Sequence, residues 1–147
     1  MIQRIQTLYL LVSAILIAFL FVLPFAEIMN DGAIYLFDYK GISLDGVVKE
    51  DGMSIAVLIG IILGLHGFAI LSYKNRIRQM RVIVFTILIM LGLFGMFFFF
   101  TYYSFSGAKV SFKIGMVFPL VAIVLDYLAI RAIGKDEALI RSIDRIR

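Results

Sequence analysis

Two ionisable side chains fall inside long apolar runs, His66 within residues 55–73 and Asp126 within residues 114–133. A charge in hydrocarbon is costly, so an ionisable residue at such a depth is a functional candidate by default. Imidazole is also the side chain that exchanges a proton most readily near neutral pH, and a carboxylate is its natural partner. His66 lies twelve residues past Ser54 and Asp126 twelve past Ile114. At ~1.5 Å per helical residue, both sit ~18 Å below the same boundary, where they can meet across a bundle. Three roles are open to this intramembrane pair: polar glue between helices, a step on a proton or ion path, or contact with a ligand. As glue, Asp126 is near enough to Arg131 to reach headgroup water or to pair with Arg131 or Arg78, and His66 can donate to a backbone carbonyl. Asp126 also shares a helical face with Ala122 and Ala129, which suits close approach to a neighbour. Ala56, Gly60 and Gly64 recur at four-residue spacing, the small-residue pattern that lets membrane helices pack closely, within the bundle or against another protein.

The elements that must position these residues follow from composition. Of 147 residues, 63% are apolar and 16% charged, with a mean hydropathy of +1.04, whereas soluble domains carry about 25% charged residues. A single membrane domain over residues 1–147 is expected. Four apolar runs, 5–23, 55–73, 82–103 and 114–133, each approach the ~20 residues that cross ~30 Å of hydrocarbon. In lipid such runs must be helices, because every backbone polar group has to be satisfied internally. The expected fold class is therefore an all-α membrane protein, a bundle of four transmembrane helices. The first run is too long for the ~7–15-residue core of a cleaved signal and reads as a retained anchor.

Fourteen basic residues set the orientation. Arg4, the cluster Lys74, Arg76, Arg78 and Arg81, and the terminal bases from Arg131 onward all fall on one side. By the positive-inside rule that side is cytoplasmic, with both termini there. The pI near 9.5 is thus a topology signature, and no basic soluble module exists to bind nucleic acid. On the other side, residues 26–52 carry turn signals at Asn30-Asp31-Gly32 and Asp45-Gly46 around β-forming residues, which predicts a short extracytoplasmic hairpin. Phe97 to Phe100, Tyr102, Tyr103 and Phe105 read as lipid contacts and an interfacial aromatic belt. Residues 134–147 read as a cytoplasmic amphipathic helix, its direction broken from the fourth span at Gly134 and supported by a Glu137–Arg141 pair.

The opening segment from Met1 to Leu10, the closing segment from Lys135 to Arg147, and the connection holding Asn75, Arg76 and Gln79 together resemble an uncharacterised family of small bacterial membrane proteins, the domain of unknown function numbered 4293. The resemblance spans the whole chain. It implies a four-span inner-membrane protein and brings no activity or catalytic residues with it.

Function classes narrow by chemistry. The chain has no cysteine, which excludes disulfides, thiolate metal sites and thiol catalysis. With one histidine, a metal site would rest on carboxylates that lie mostly outside the spans. No Ser/His/Asp set stands out, and there is no HExxH helix or phosphate-cradling loop, so no enzyme, cofactor or metal is expected. Gln3, Arg4, Arg76, Arg78, Lys135, Glu137, Arg141 and Arg145 converge on the cytoplasmic rim. That is more hydrogen-bonding specificity than orientation requires, and it makes a candidate docking surface. The leading expectation is an accessory or scaffolding subunit of a larger inner-membrane complex for secretion, translocation or respiration, its partners the lipid bilayer and other membrane subunits. The alternative is a small proton-coupled transporter or channel using His66 and Asp126.

Overall fold

A computed structural model describes residues 3–30, 32–103 and 107–144. Helix α1, Gln3–Ala18, ends in a 3-10 turn at Phe19–Phe21, just short of Pro24, whose ring cannot continue a helix. Helix α2, Met53–Leu71, starts where the Asp51 carboxylate accepts the Met53 amide at 3.0 Å. Helix α3, Arg76–Tyr103, is capped by Asn75, whose side-chain oxygen accepts the Arg78 amide at 3.1 Å and so satisfies a donor the first turn leaves free. Helix α4, Phe118–Asp144, follows a 3-10 turn at Ile114–Val117. Pro119 falls in its first turn, where proline is tolerated. The helices alternate in direction and pack in a ring in which α1 touches α2 and α4, and α3 touches the same two.

The all-α expectation is wrong. A five-stranded antiparallel sheet covers one end of the helices, in the order β4-β3-β2-β1-β5. Its strands are β1 Ala26–Asn30, β2 Ala33–Asp38, β3 Gly41–Leu44, β4 Val47–Asp51 and β5 Lys109–Phe112. The predicted hairpin is thus a four-strand meander, and the connection between α3 and α4 adds a fifth strand beside β1. Isolated two-stranded hairpins are marginal in water. Here β1 gains pairing on both sides, and Lys113 donates its amide to the Phe25 carbonyl at 2.9 Å. The β3–β4 turn has Asp45 at φ 49° and Gly46 at φ 80°, two successive positive φ values that suit a tight hairpin turn. Gly41, at φ 115°, passes so close to the Glu50 carbonyl that a Cβ would collide with it. Asp31 of the first turn signal lies outside the described residues.

Among the described residues, three of the four expected spans meet the length of a membrane crossing. Met53–Leu71, Arg76–Tyr103 and Ile114–Ile140 are long and apolar enough to cross a membrane, while the apolar helix Ile5–Phe21 is shorter. In each of the three, only 28% of the most apolar window is buried within the protein. The rest is apolar surface facing outward, which water would not tolerate and lipid accepts. The expected break at Gly134 is absent, and α4 runs through it to Asp144. A glycine inside a helix costs about 1 kcal/mol relative to alanine, too little to end a helix whose far end is tied down. That tie is Gln6, whose amide donates to Asp136 at 2.6 Å between buried side chains.

The aromatic run of α3 divides, and only part of it is lipid contact. Phe97 is buried and lies tilted against Phe25 with centroids 4.5 Å apart. It also meets Phe37 edge-on at 6.0 Å, and Phe37 stacks on Phe100 at 5.8 Å. These rings seat the sheet on the helices, while Phe98, Phe99, Tyr102 and Tyr103 face outward. Phe105 lies outside the described residues. Truncating a fully buried Phe typically costs about 3–5 kcal/mol. Phe97→Ala is therefore expected to lower the melting temperature in detergent strongly and Phe99→Ala hardly at all. Equal effects would show that Phe97 does not hold the sheet.

Candidate functional site

On α2 the residues Ile55, Ile59, Ile62, His66 and Ala69 are buried. Their spacing of three and four places them on one helical stripe, so His66 is turned inward by the same pattern that builds the core. On α4, Asp126 is fully buried, as are Ala122 and Ala129 one turn to either side. These small neighbours let α1 come close enough for the Ser13 hydroxyl to reach the Ala122 carbonyl at 3.3 Å. The structure therefore brings His66 and Asp126 together and adds Ser13, so that one residue from each of α1, α2 and α4 meets in the interior.

Both Asp126 carboxylate oxygens lie 3.2 Å from His66 Nε2. Oδ1 has hydrogen-bond geometry, whereas Oδ2 is off the bond direction and has no partner. Ser13 Oγ lies 2.9 Å from the same Nε2. His66 Nδ1 faces the Ile62 carbonyl at 2.9 Å. A carbonyl only accepts, so Nδ1 carries a hydrogen. Nε2 and an ionised carboxylate cannot bond without a hydrogen between them, so the pair shares one further proton. With that proton on either partner, imidazolium–carboxylate or imidazole–carboxylic acid, the pair has no net charge. This neutrality makes full burial affordable.

Serine, histidine and aspartate are the residue types of a nucleophilic relay, but this arrangement does not work as one. A relay needs aspartate on Nδ1 and serine on Nε2, so that the ring passes a proton between them. Here both face Nε2, and Nδ1 is spent on the backbone. Ser13 is not ionisable, so the cost of a charge in lipid does not mark it in the sequence. The signal was a hydroxyl within the first apolar run. The Gln6–Asp136 contact has no sequence signal, because a tie between the two ends of the chain leaves no local pattern. The direction expected for Asp126, toward headgroup water or an arginine, is not taken, since its side chain is fully buried against His66.

The remaining candidates are dispersed. A Cβ added to Gly60 or Gly64 would meet nothing within 4 Å. Their face points away from the other helices, and Ala56 at its end is half-buried. At the end opposite the sheet, Arg76 is half-buried with Nη1 unpartnered, in a pocket it shares with Lys74, Asn75 and Glu137. Arg78 lies over the Phe68 ring at 5.8 Å, and Lys135 is exposed. Gln3 and Arg4 open α1 and Arg141 lies in α4, but their side chains, like Arg145 as a whole, lie outside the described residues. Among the described residues no three His, Asp or Glu gather where a metal would need them.

A family model, Domain of unknown function (DUF4293), matches residues 2–146. The chain belongs to this family. No curated protein and no solved structure matches it. For this DUF4293 protein, the Ser13–His66–Asp126 cluster generates an ordering of stabilities. An interhelical hydrogen bond in a membrane is worth about 1 kcal/mol, and removing one partner of a buried pair about 3–5 kcal/mol. Thermal melts in one detergent are expected to rank wild type above Ser13→Ala and Ser13→Ala well above Asp126→Ala. Asp126→Asn, whose amide can donate to a neutral Nε2, should fall between wild type and Asp126→Ala. Equal stability of Asp126→Ala and wild type would contradict the cluster as drawn.

Proposed function

We propose that this DUF4293 protein is a non-catalytic accessory or scaffolding subunit of a larger assembly in the bacterial inner membrane. Both termini and the α2–α3 connection would face the cytoplasm, as the ten bases at that end favour. The observation that carries this reading is the outward face of α2. Glycine weakens a helix by about 1 kcal/mol relative to alanine, and Gly60 and Gly64 recover nothing from packing inside this chain, since the space beside each is open. Between membrane helices that space is what allows backbones to approach, so the face suits a helix of another subunit. The interior Ser13, His66 and Asp126 side chains, meanwhile, face one another.

The test is extraction in a gentle detergent, followed by mass spectrometry of what accompanies the protein. Gly60→Leu with Gly64→Leu fills the face from two positions where an added Cβ has open space. The double variant is expected to keep its melting temperature and lose most of the partner bound by wild type. A protein that always runs alone or with copies of itself would overturn the reading, as would a variant that keeps the same partner.

One observation favours a second reading, a small proton-coupled transporter or channel. The His66–Asp126 pair lies within the apolar interior, both carboxylate oxygens 3.2 Å from His66 Nε2, and Asp126 Oδ2 makes no hydrogen bond. In liposomes carrying a pH-sensitive dye, that reading expects proton flux that Asp126→Asn and His66→Ala abolish. Equal flux in wild type and both variants ends it.

A further inference from the structure

At the end opposite the sheet, a groove of about 480 Å³ runs along the seam between α1 and α4. Ile5, Leu128 and Ala132 form apolar parts of its wall, and Arg131 and Lys135 stand beside them. The two cations are one turn apart on α4, so they project to the same side. Both are exposed, and neither is paired with a carboxylate among the described residues. Asp136 also lines the groove, but its side chain is mostly buried and accepts the Gln6 amide. Arg131 lies about 20 Å along α4 from Phe118 at ~1.5 Å per residue. It is flanked by Ile130, Ala132 and Ile133 and still belongs to an apolar stretch. A topogenic charge needs only to lie in a connection. An exposed, unpaired arginine at the end of an apolar stretch sits at the level of lipid headgroups, where an anion is a favourable partner.

We propose that this groove binds an anionic phospholipid, with its phosphate between Arg131 and Lys135 near Ile5 and an acyl chain running inward along Tyr9 and Leu128. Charge complementarity selects the headgroup, and a basic pocket between helices at this level of a membrane is the form such sites take. The apolar wall requires a chain and so excludes a free phosphate as the intended occupant. The site does not depend on the accessory-subunit reading, because it lies on α1 and α4 and not on the glycine face of α2.

The experiment uses the full chain in a mild non-ionic detergent. Native mass spectrometry and melting temperature are recorded with phosphatidylglycerol, with phosphatidylcholine of the same chains, and with inorganic phosphate. Phosphatidylglycerol is expected to remain bound and to raise the melting temperature by ~4 °C or more beyond phosphatidylcholine. Phosphate alone should have no effect. Arg131→Gln with Lys135→Gln should abolish the difference between the two lipids. Ile5→Trp, which fills the groove and leaves both cations in place, should abolish it by an independent route and keeps the test decisive if the charge variant does not fold. Equal shifts from both lipids, the full shift from phosphate alone, or retention of phosphatidylglycerol selectivity in Ile5→Trp would each overturn the proposal.

Discussion

A carboxylate sealed from water must find a proton or a cation, and Asp126 meets that demand on His66. Much of the helical arrangement follows from satisfying this contact. His66 has to face inward on α2, which the Ile55–Ile59–Ile62 stripe ensures. The α4 backbone has to lie close to α1, which Ala122 and Ala129 allow, and Ser13 closes the cluster from α1. Apolar packing alone is non-directional and permits helices to slide or rotate. The polar cluster has one arrangement in which its hydrogen bonds are made, so it fixes the register of three helices at once.

The two ends of the molecule are held by different physics. At one end the sheet is seated by large aromatic surfaces, Phe25, Phe37, Phe97 and Phe100, and its outer edge is tied by the exposed Lys113–Glu27 ion pair at 2.9 Å. Such an exposed pair contributes little; the rings carry the attachment. At the other end a buried side-chain hydrogen bond, Gln6 to Asp136, joins the first helix to the last. A second core of Leu10, Ala69, Ile83, Ala129 and Ile133 lies on that side of the polar cluster, separate from the larger one that continues into the sheet.

This division also organises the functional reading. The Ser13, His66 and Asp126 side chains inside the helices face one another. Outward lie an open glycine face on α2 and a groove between α1 and α4 that Arg131 and Lys135 line. At the Ser13–His66–Asp126 meeting point the serine and the aspartate face the same ring nitrogen, and the other is bonded to the backbone.

Apolar runs, placement of bases and single-residue interruptions are local properties, and they determined much by themselves. The runs required helices, because lipid offers the backbone no hydrogen-bond partner. The equal depth of His66 and Asp126 was legible from residue counting, because helical rise is constant. Turn positions around Asp45-Gly46 were legible from the residues that tolerate positive φ. The sheet was not. Strand β5 consists of four residues, Lys109–Phe112, with no signal apart from its partner, and β1 becomes a central strand only because β5 lies beside it. The straight course of α4 through Gly134 was likewise undecidable locally, since what holds it is Gln6, 130 positions away in sequence. The direction of the Ala56–Gly60–Gly64 face was equally out of reach. Spacing shows that small residues share a side of a helix, but whether that side meets the chain's own core or the surroundings depends on where the other three helices stand. Pairings between residues far apart in the chain are settled by which surfaces fit, and only the tertiary structure decides that.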